Sequence, residues 1–185
     1  MDQYIHQIKA IIVLDNEGSK MYSKYYTQEL KGQQAKQQQL EKSLFQKTQK
    51  TPATTDPDII QADKYTVVYC TESDLWFYVV GASDENELIL NEVITSLTDA
   101  LQLIFKSQLQ KRTFLENFDL IVLAFNEVVD DGIIMEVDAN TIADRVIAIE
   151  GGTGGSKGGS DDPLTQAVEG AKNQFTELAN SLFSF

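Results

Sequence analysis

Reactive side chains are scarce in this 185-residue sequence, which holds one cysteine (Cys70), one histidine (His6) and 3 prolines. A lone cysteine forms no internal disulfide, so the composition fits a reducing compartment such as the cytosol. Two such residues also exclude a zinc site built from His and Cys ligands. A Cys–His catalytic pair exists arithmetically, but His6 has no orienting partner in sequence and Cys70 lies in a strand-like run. Both therefore read as structural residues. Long apolar runs are missing as well. The densest, Leu120 to Phe125, is far shorter than the roughly 20 residues a membrane span needs. The run Ala10 to Leu14 is too short for a signal core, and Asp2 stands where N-myristoylation takes a glycine. The expectation is a soluble chain that crosses no membrane. Cationic excess is absent too: 15 Lys and Arg face 28 Asp and Glu, a net charge of −13. A field of that sign repels phosphate backbones and argues against a nucleic-acid partner.

What is present is an ordinary globular balance, 42% hydrophobic and 23% charged, on a length that suits one domain plus an extension. The charge is uneven. Residues 1–50 hold 8 lysines and 5 acids, whereas residues 51–185 hold 7 basic and 23 acidic residues. A Lys/Gln-rich solvated helix followed by an acidic surface accounts for this, and no clustered lysine run singles out an anionic membrane or partner.

Periodicity supplies the elements. Ile8 to Leu14 and Lys20 to Tyr26 flank the turn cluster Asp15-Asn16-Glu17-Gly18 and predict an antiparallel hairpin. Glu29 to Lys50 reads as a helix with a narrow stripe at Leu40, Leu44 and Phe45. Beyond the breaker stretch Pro52 to Pro57, the runs Ile59-Ile60, Tyr65 to Cys70 and Leu75 to Val80 read as three strands joined by short turns. Five strands linked in this way predict a largely antiparallel sheet. Leu75, Phe77 and Val79 alternate with Trp76, Tyr78 and Val80, so both faces of that strand are expected to be covered.

Asp84 and Glu87 have capping-box spacing ahead of a stripe at Leu90, Val93, Ile94, Leu97, Leu101, Ile104 and Phe105. Thr113 and Glu116 repeat the box and predict a helix ending near Asp130-Asp131-Gly132, with Gly132 as its stop. A shorter helix is expected over Thr141 to Ile149. Gly151 to Ser160 is Gly/Ser-rich and reads as linker. Asp162-Pro163 restarts a helix whose apolar residues run from Leu164 to Phe183 at helical spacing.

Nucleotide and calcium motifs fail on inspection. Ser156 precedes Lys157 and Gly158 follows it, the wrong order for a Walker A loop, and no strand and helix bracket those glycines. Asp130, Asp131, Glu136 and Asp138 lack the spacing of an EF-hand loop. The positive signal lies between Phe114 and Val129, where 11 of 16 residues are apolar. A helix resting on one sheet needs a single stripe, so either neighbouring helices or a second protein cover the excess.

Four segments carry a resemblance. The opening Ala10 to Gly18 with Lys24-Tyr25-Tyr26 resembles the first hairpin of longin-type small coat subunits. Asn86 to Leu90, Lys111 to Leu120 and Asp130 to Glu136 resemble the zeta subunits of coatomer in particular, and the similarity runs from about Ile8 to Val146. The resemblance implies an α/β (α+β) longin fold: a five-stranded antiparallel sheet sandwiched between helices, with a C-terminal amphipathic helix. Organisation is then expected as 1–149 longin domain, 150–162 linker and 163–185 tail helix. The Gln-rich first helix and the Gly-rich linker depart from the family pattern.

The same resemblance implies a non-enzymatic subunit with no cofactor, no metal and no catalytic residue. Its implied partner is the large gamma subunit of coatomer, in a heptameric coat that Arf-family GTPases recruit to Golgi membranes for Golgi-to-ER retrograde and intra-Golgi transport. Phe114, Leu115, Phe118, Ile121 and Phe125 are the candidate partner-binding residues. A regulatory longin module of a SNARE or a GTPase exchange factor is the alternative. A longin SNARE requires a heptad segment and an anchor, and neither is read after Val146.

Overall fold

β-Branched and other apolar residues fill 10–14 and a buried acid closes the run, so that Ala10–Asp15 forms β1, buried along its whole length. The structure, a computed structural model, describes residues 7–50, 55–106 and 109–154. β1 turns into β2 (Lys20–Tyr25) as an antiparallel hairpin. Gly18 makes that turn possible: its φ is +78°, and an added Cβ would lie 2.6 Å from the Phe45 ring. Helix α1 (Gln34–Thr48) then carries the chain across one face of the sheet to β3 (Asp58–Ala62) at the opposite edge. It begins five residues later than the sequence suggests, because Thr27 to Gln33 are used in turns that include Gly32 at φ +70°.

β4 (Tyr65–Glu72) and β5 (Leu75–Ala82) follow through two-residue turns with Asp63 and Ser73 at positive φ. The strand order is β2-β1-β5-β4-β3, and every neighbouring pair is antiparallel. Strand alternation splits the core in two. Trp76, Tyr78 and Val80 join Leu40 and Leu44 of α1 on one face, whereas Leu75, Phe77 and Val79 join the helices on the other. The expectation of two covered faces is met, and with it the sandwich that the longin resemblance implies.

On the second face lies α2 (Glu87–Phe105), long and apolar enough by composition to cross a membrane. Its stripe at Leu90, Val93, Ile94, Leu97 and Leu101 is instead buried in the core beneath the sheet. Its cap differs from the expected box. Asn86, not Asp84, is the N-cap, and its side chain accepts from the Leu88 N–H at 3.0 Å.

The helix expected from Thr113 to Asp130 is broken in two: α3 (Lys111–Glu116) and α4 (Phe118–Val128) meet at Asn117. Thr113 is not a cap. It lies inside α3, and its carbonyl accepts from both the backbone and the side chain of Asn117. Gly132 does not stop a helix either. α4 ends four residues earlier, and β6 (Val129–Asp130) pairs with β7 (Ile133–Ile134) around Gly132, whose φ is +86° and whose carbonyl accepts from the Ile8 N–H at 2.8 Å. Helix α5 (Ala139–Gly154) buries Ile142, Ala143 and Val146. It passes through 150–154, the start of the expected linker, since extending a formed helix costs far less than starting one. The first compact unit ends at Ile147. The remaining linker residues and the tail helix expected over 163–185 lie outside the described residues.

Candidate functional site

The apolar excess between Phe114 and Val129 resolves into two populations. Phe114, Ile121 and Phe125 are fully buried in the core on the α2 face, so three of the five candidate partner-binding residues are removed from the surface. The break at Asn117 is the reason. It redirects α4 so that Ile121, Ala124, Phe125 and Val128 face inward, while Leu120, Val122 and Leu123 pack at the core margin. Neighbouring helices thus cover most of the excess. Leu115 and Phe118 do stay outside, 58% and 42% exposed, on either side of the α3–α4 junction.

Phe118 is not a loose ring. Its centroid lies 6.2 Å from Phe114 and 6.2 Å from Tyr22, and Tyr22 meets Phe125 edge-on at 4.6 Å. Phe118 is therefore the half-exposed link in a row of otherwise buried rings, with Phe114 on one side and Tyr22 on the other. Farther along the chain, Ile133, Met135 and Val137 are also exposed, and period-two spacing after the β6–β7 turn was the signal that could have marked them. Next to Met135, an open cavity of ≈ 630 Å³ is also lined by Lys24, Asn126, Glu127, Asp130 and Arg145. Its polar side chains are already engaged: Lys24 donates to the Asn126 amide oxygen at 2.6 Å, and Arg145 pairs with Glu127 and Glu136 at 3.2 and 3.4 Å.

At the start of α3, Lys111 is held twice. Its Nζ donates to Asp15 Oδ2 at 2.6 Å, and its backbone N–H donates to Asp74 Oδ1 at 2.8 Å. Asp15 is fully buried, and its other oxygen accepts from the Glu17 and Ser19 N–H groups at 2.9 and 2.8 Å. Burial opposes the Asp15 charge, but the Lys111, Ser19 and Glu17 hydrogen bonds outweigh it and hold the carboxyl below its usual range. A second buried carboxylate, Glu41, accepts from Tyr25 at 2.6 Å and Lys20 at 3.0 Å on the other face of the sheet.

Among the described residues, groups suited to chemistry are not gathered. Burial pushes the Cys70 thiol up to about 12, the reverse of the activation a nucleophile needs. His6 lies outside the described residues. Among the described residues no three His, Cys, Asp or Glu side chains are grouped to hold a metal ion.

Comparison with known proteins agrees with this geometry. Residues 7–151 match the model of the clathrin adaptor complex small chain family. Coatomer subunit zeta-3 of Oryza sativa subsp. japonica is 41% identical over 177 residues, covering 96% of this chain and 97% of that protein. Coatomer subunit zeta-1 of Homo sapiens is 36% identical over 94% of this chain and 93% of its own length. Among structures, a chain in a homology model of the full-length AP-3 complex in a stretched open conformation superposes with a TM-score of 0.56. That match has 19% identity and covers 79% of this chain and 95% of the other, a likeness of fold.

Proposed function

The chain belongs to the clathrin adaptor complex small chain family, in its coatomer zeta group, and from that membership we propose that this coat subunit pairs with the large gamma subunit of coatomer. Its work is mechanical: to stiffen and complete a larger chain within a coat that an Arf-family GTPase recruits to Golgi membranes. Golgi-to-ER retrograde and intra-Golgi traffic are the processes served. The protein acts from the cytoplasmic side as a peripheral component.

The observation that carries the pairing is the exposure of Leu115 and Phe118 beside a fixed aromatic row. Full burial of such a side chain is worth roughly 1.5–3 kcal/mol. Both are already partly covered, and association has its own cost, so these two serve as central anchors within a wider contact. Phe114, Ile121 and Phe125 then act indirectly, by holding α3 and α4 in place.

The test is Leu115→Asp with Phe118→Asp in one chain, assayed by co-purification with the gamma subunit. Loss of pairing in a variant that still unfolds cooperatively is the expected result. Undiminished pairing would overturn this surface. Phe125 is unsuitable for such a test, because a charge at a fully buried site reports on folding rather than on contact.

A further inference from the structure

α3 is six residues long, far below the about 12–15 residues at which an isolated helix sustains itself in water. Its orientation must therefore come from outside. One anchor is Phe114, buried in the core at the middle of the helix. Leu109, buried just before the helix, holds the same inward edge, and Asn117 bonds back to the Thr113 carbonyl at its end, which leaves the first turn as the part still to be fixed. The anchor of that turn is Lys111 at the first position.

Gln110, the N-cap residue, makes no side-chain cap. Asp74 supplies one from the β4–β5 turn by accepting from the Lys111 N–H. Asp15, the last residue of β1, takes the Nζ end of the same residue. Asp15 pairs across the sheet with Leu75, the residue after Asp74, so both acceptors sit at one end of the sheet. Lys111 is thus gripped at both its backbone and its tip by two different hairpin turns.

We propose that Lys111 is a positioning residue: clamped between the β1–β2 and β4–β5 turns by Asp15 and Asp74, it fixes the direction in which α3 presents Leu115, with Phe118 just beyond, to the gamma chain. This inference rests on the surface proposed above. The clamp adds no contact with the partner. Its effect is preorganisation, since an α3 with a loose first turn meets the partner in the productive orientation for only a fraction of the time and apparent affinity falls by that fraction.

The experiment compares the full chain with Asp15→Asn/Lys111→Met, Lys111→Gln, Lys111→Arg and Leu115→Asp/Phe118→Asp. In the first, Asn keeps a carbonyl oxygen for the turn N–H groups and Met keeps the stem, so no buried charge is left alone. Lys111→Gln leaves the Asp15 turn intact, so the outcome does not hang on one variant folding. Binding to purified gamma subunit is titrated, and amide exchange over residues 111–118 is followed in the free chain. The uncoupled variants are expected to bind about tenfold more weakly or worse, with faster exchange across α3, and Lys111→Arg to restore both.

Undiminished binding by folded uncoupled variants, while Leu115→Asp/Phe118→Asp loses the partner, would overturn the clamp and leave the surface standing. Failure of Lys111→Arg to rescue would also overturn it. If Leu115→Asp/Phe118→Asp binds like the parent, the surface itself is wrong. Exchange then decides the clamp alone, and unchanged protection of α3 rejects it.

Discussion

At Asp15 a buried carboxylate is kept charged by what surrounds it. The residue was legible in sequence only as the first of a turn cluster, and in the fold it is that. Its Oδ1 ties the β1–β2 turn while its Oδ2 reaches across to α3. The second role was not legible, because Lys111 lies 96 positions away and local pattern says nothing about such a pair. The pH consequence has a definite sign. The Asp15 carboxyl is lowered in the folded chain, so its share of stability is fully present above the unfolded value of about 3.9 and is lost as pH falls through the folded value. Urea midpoints measured from neutral pH downward are expected to fall more steeply below about pH 4 in the parent than in Asp15→Asn/Lys111→Met. Parallel curves would mean that folding does not hold the Asp15 carboxyl below its unfolded range.

Elements set by long apolar periods were legible, and those set by polar punctuation were less so. β1, β4, β5 and the α2 stripe follow from alternation and helical spacing, because burying those side chains dominates the free energy of the region. Capping boxes at Asp84 and Thr113 failed because Ser, Thr and Asp also serve turns and helix interiors, and only the backbone decides among these uses. Gly132 was correctly marked as a break but given the wrong partner. Its positive φ serves a hairpin and its carbonyl serves Ile8, a contact across the chain.

The site divides in the same way. An apolar surplus in 114–129 was visible, but its division into inward Phe114, Ile121 and Phe125 and outward Leu115 and Phe118 depends on the turn at Asn117, which periodicity alone does not reveal. α3 thus carries neighbouring residues of opposite duty. Phe114→Ala is expected to cost about 3–5 kcal/mol in chemical denaturation, whereas Leu115→Ala stays within about 0.5 kcal/mol. Binding to the gamma chain should rank the Leu115 variant as the impaired one among variants of normal stability. Equal destabilisation by both would show that α3 does not present the face described.

For the molecule as a whole, two forces act between copies of the free subunit, and they oppose each other. A net charge of −13 repels, while the unpartnered Leu115–Phe118 surface attracts. Salt weakens the first without weakening the second, since the Debye length is only about 8–10 Å at 0.1–0.15 M. Lowering pH toward the isoelectric point of ≈ 4.4 weakens repulsion as well, but it does so by protonating carboxylates, which also alters stability and lets unfolding confound association. Salt at neutral pH is therefore the cleaner variable. Light scattering by the isolated chain is expected to rise with added salt, and Leu115→Asp/Phe118→Asp to stay dispersed, because it removes the attraction and adds two negative charges. A control with two acidic substitutions on the exposed side of α1, at Gln38 and Gln39, adds the same charge away from the ridge. If that control disperses the chain as well as the Leu115/Phe118 variant does, net charge alone governs association. The ridge would then not be the adhesive surface that pairing with a larger chain requires.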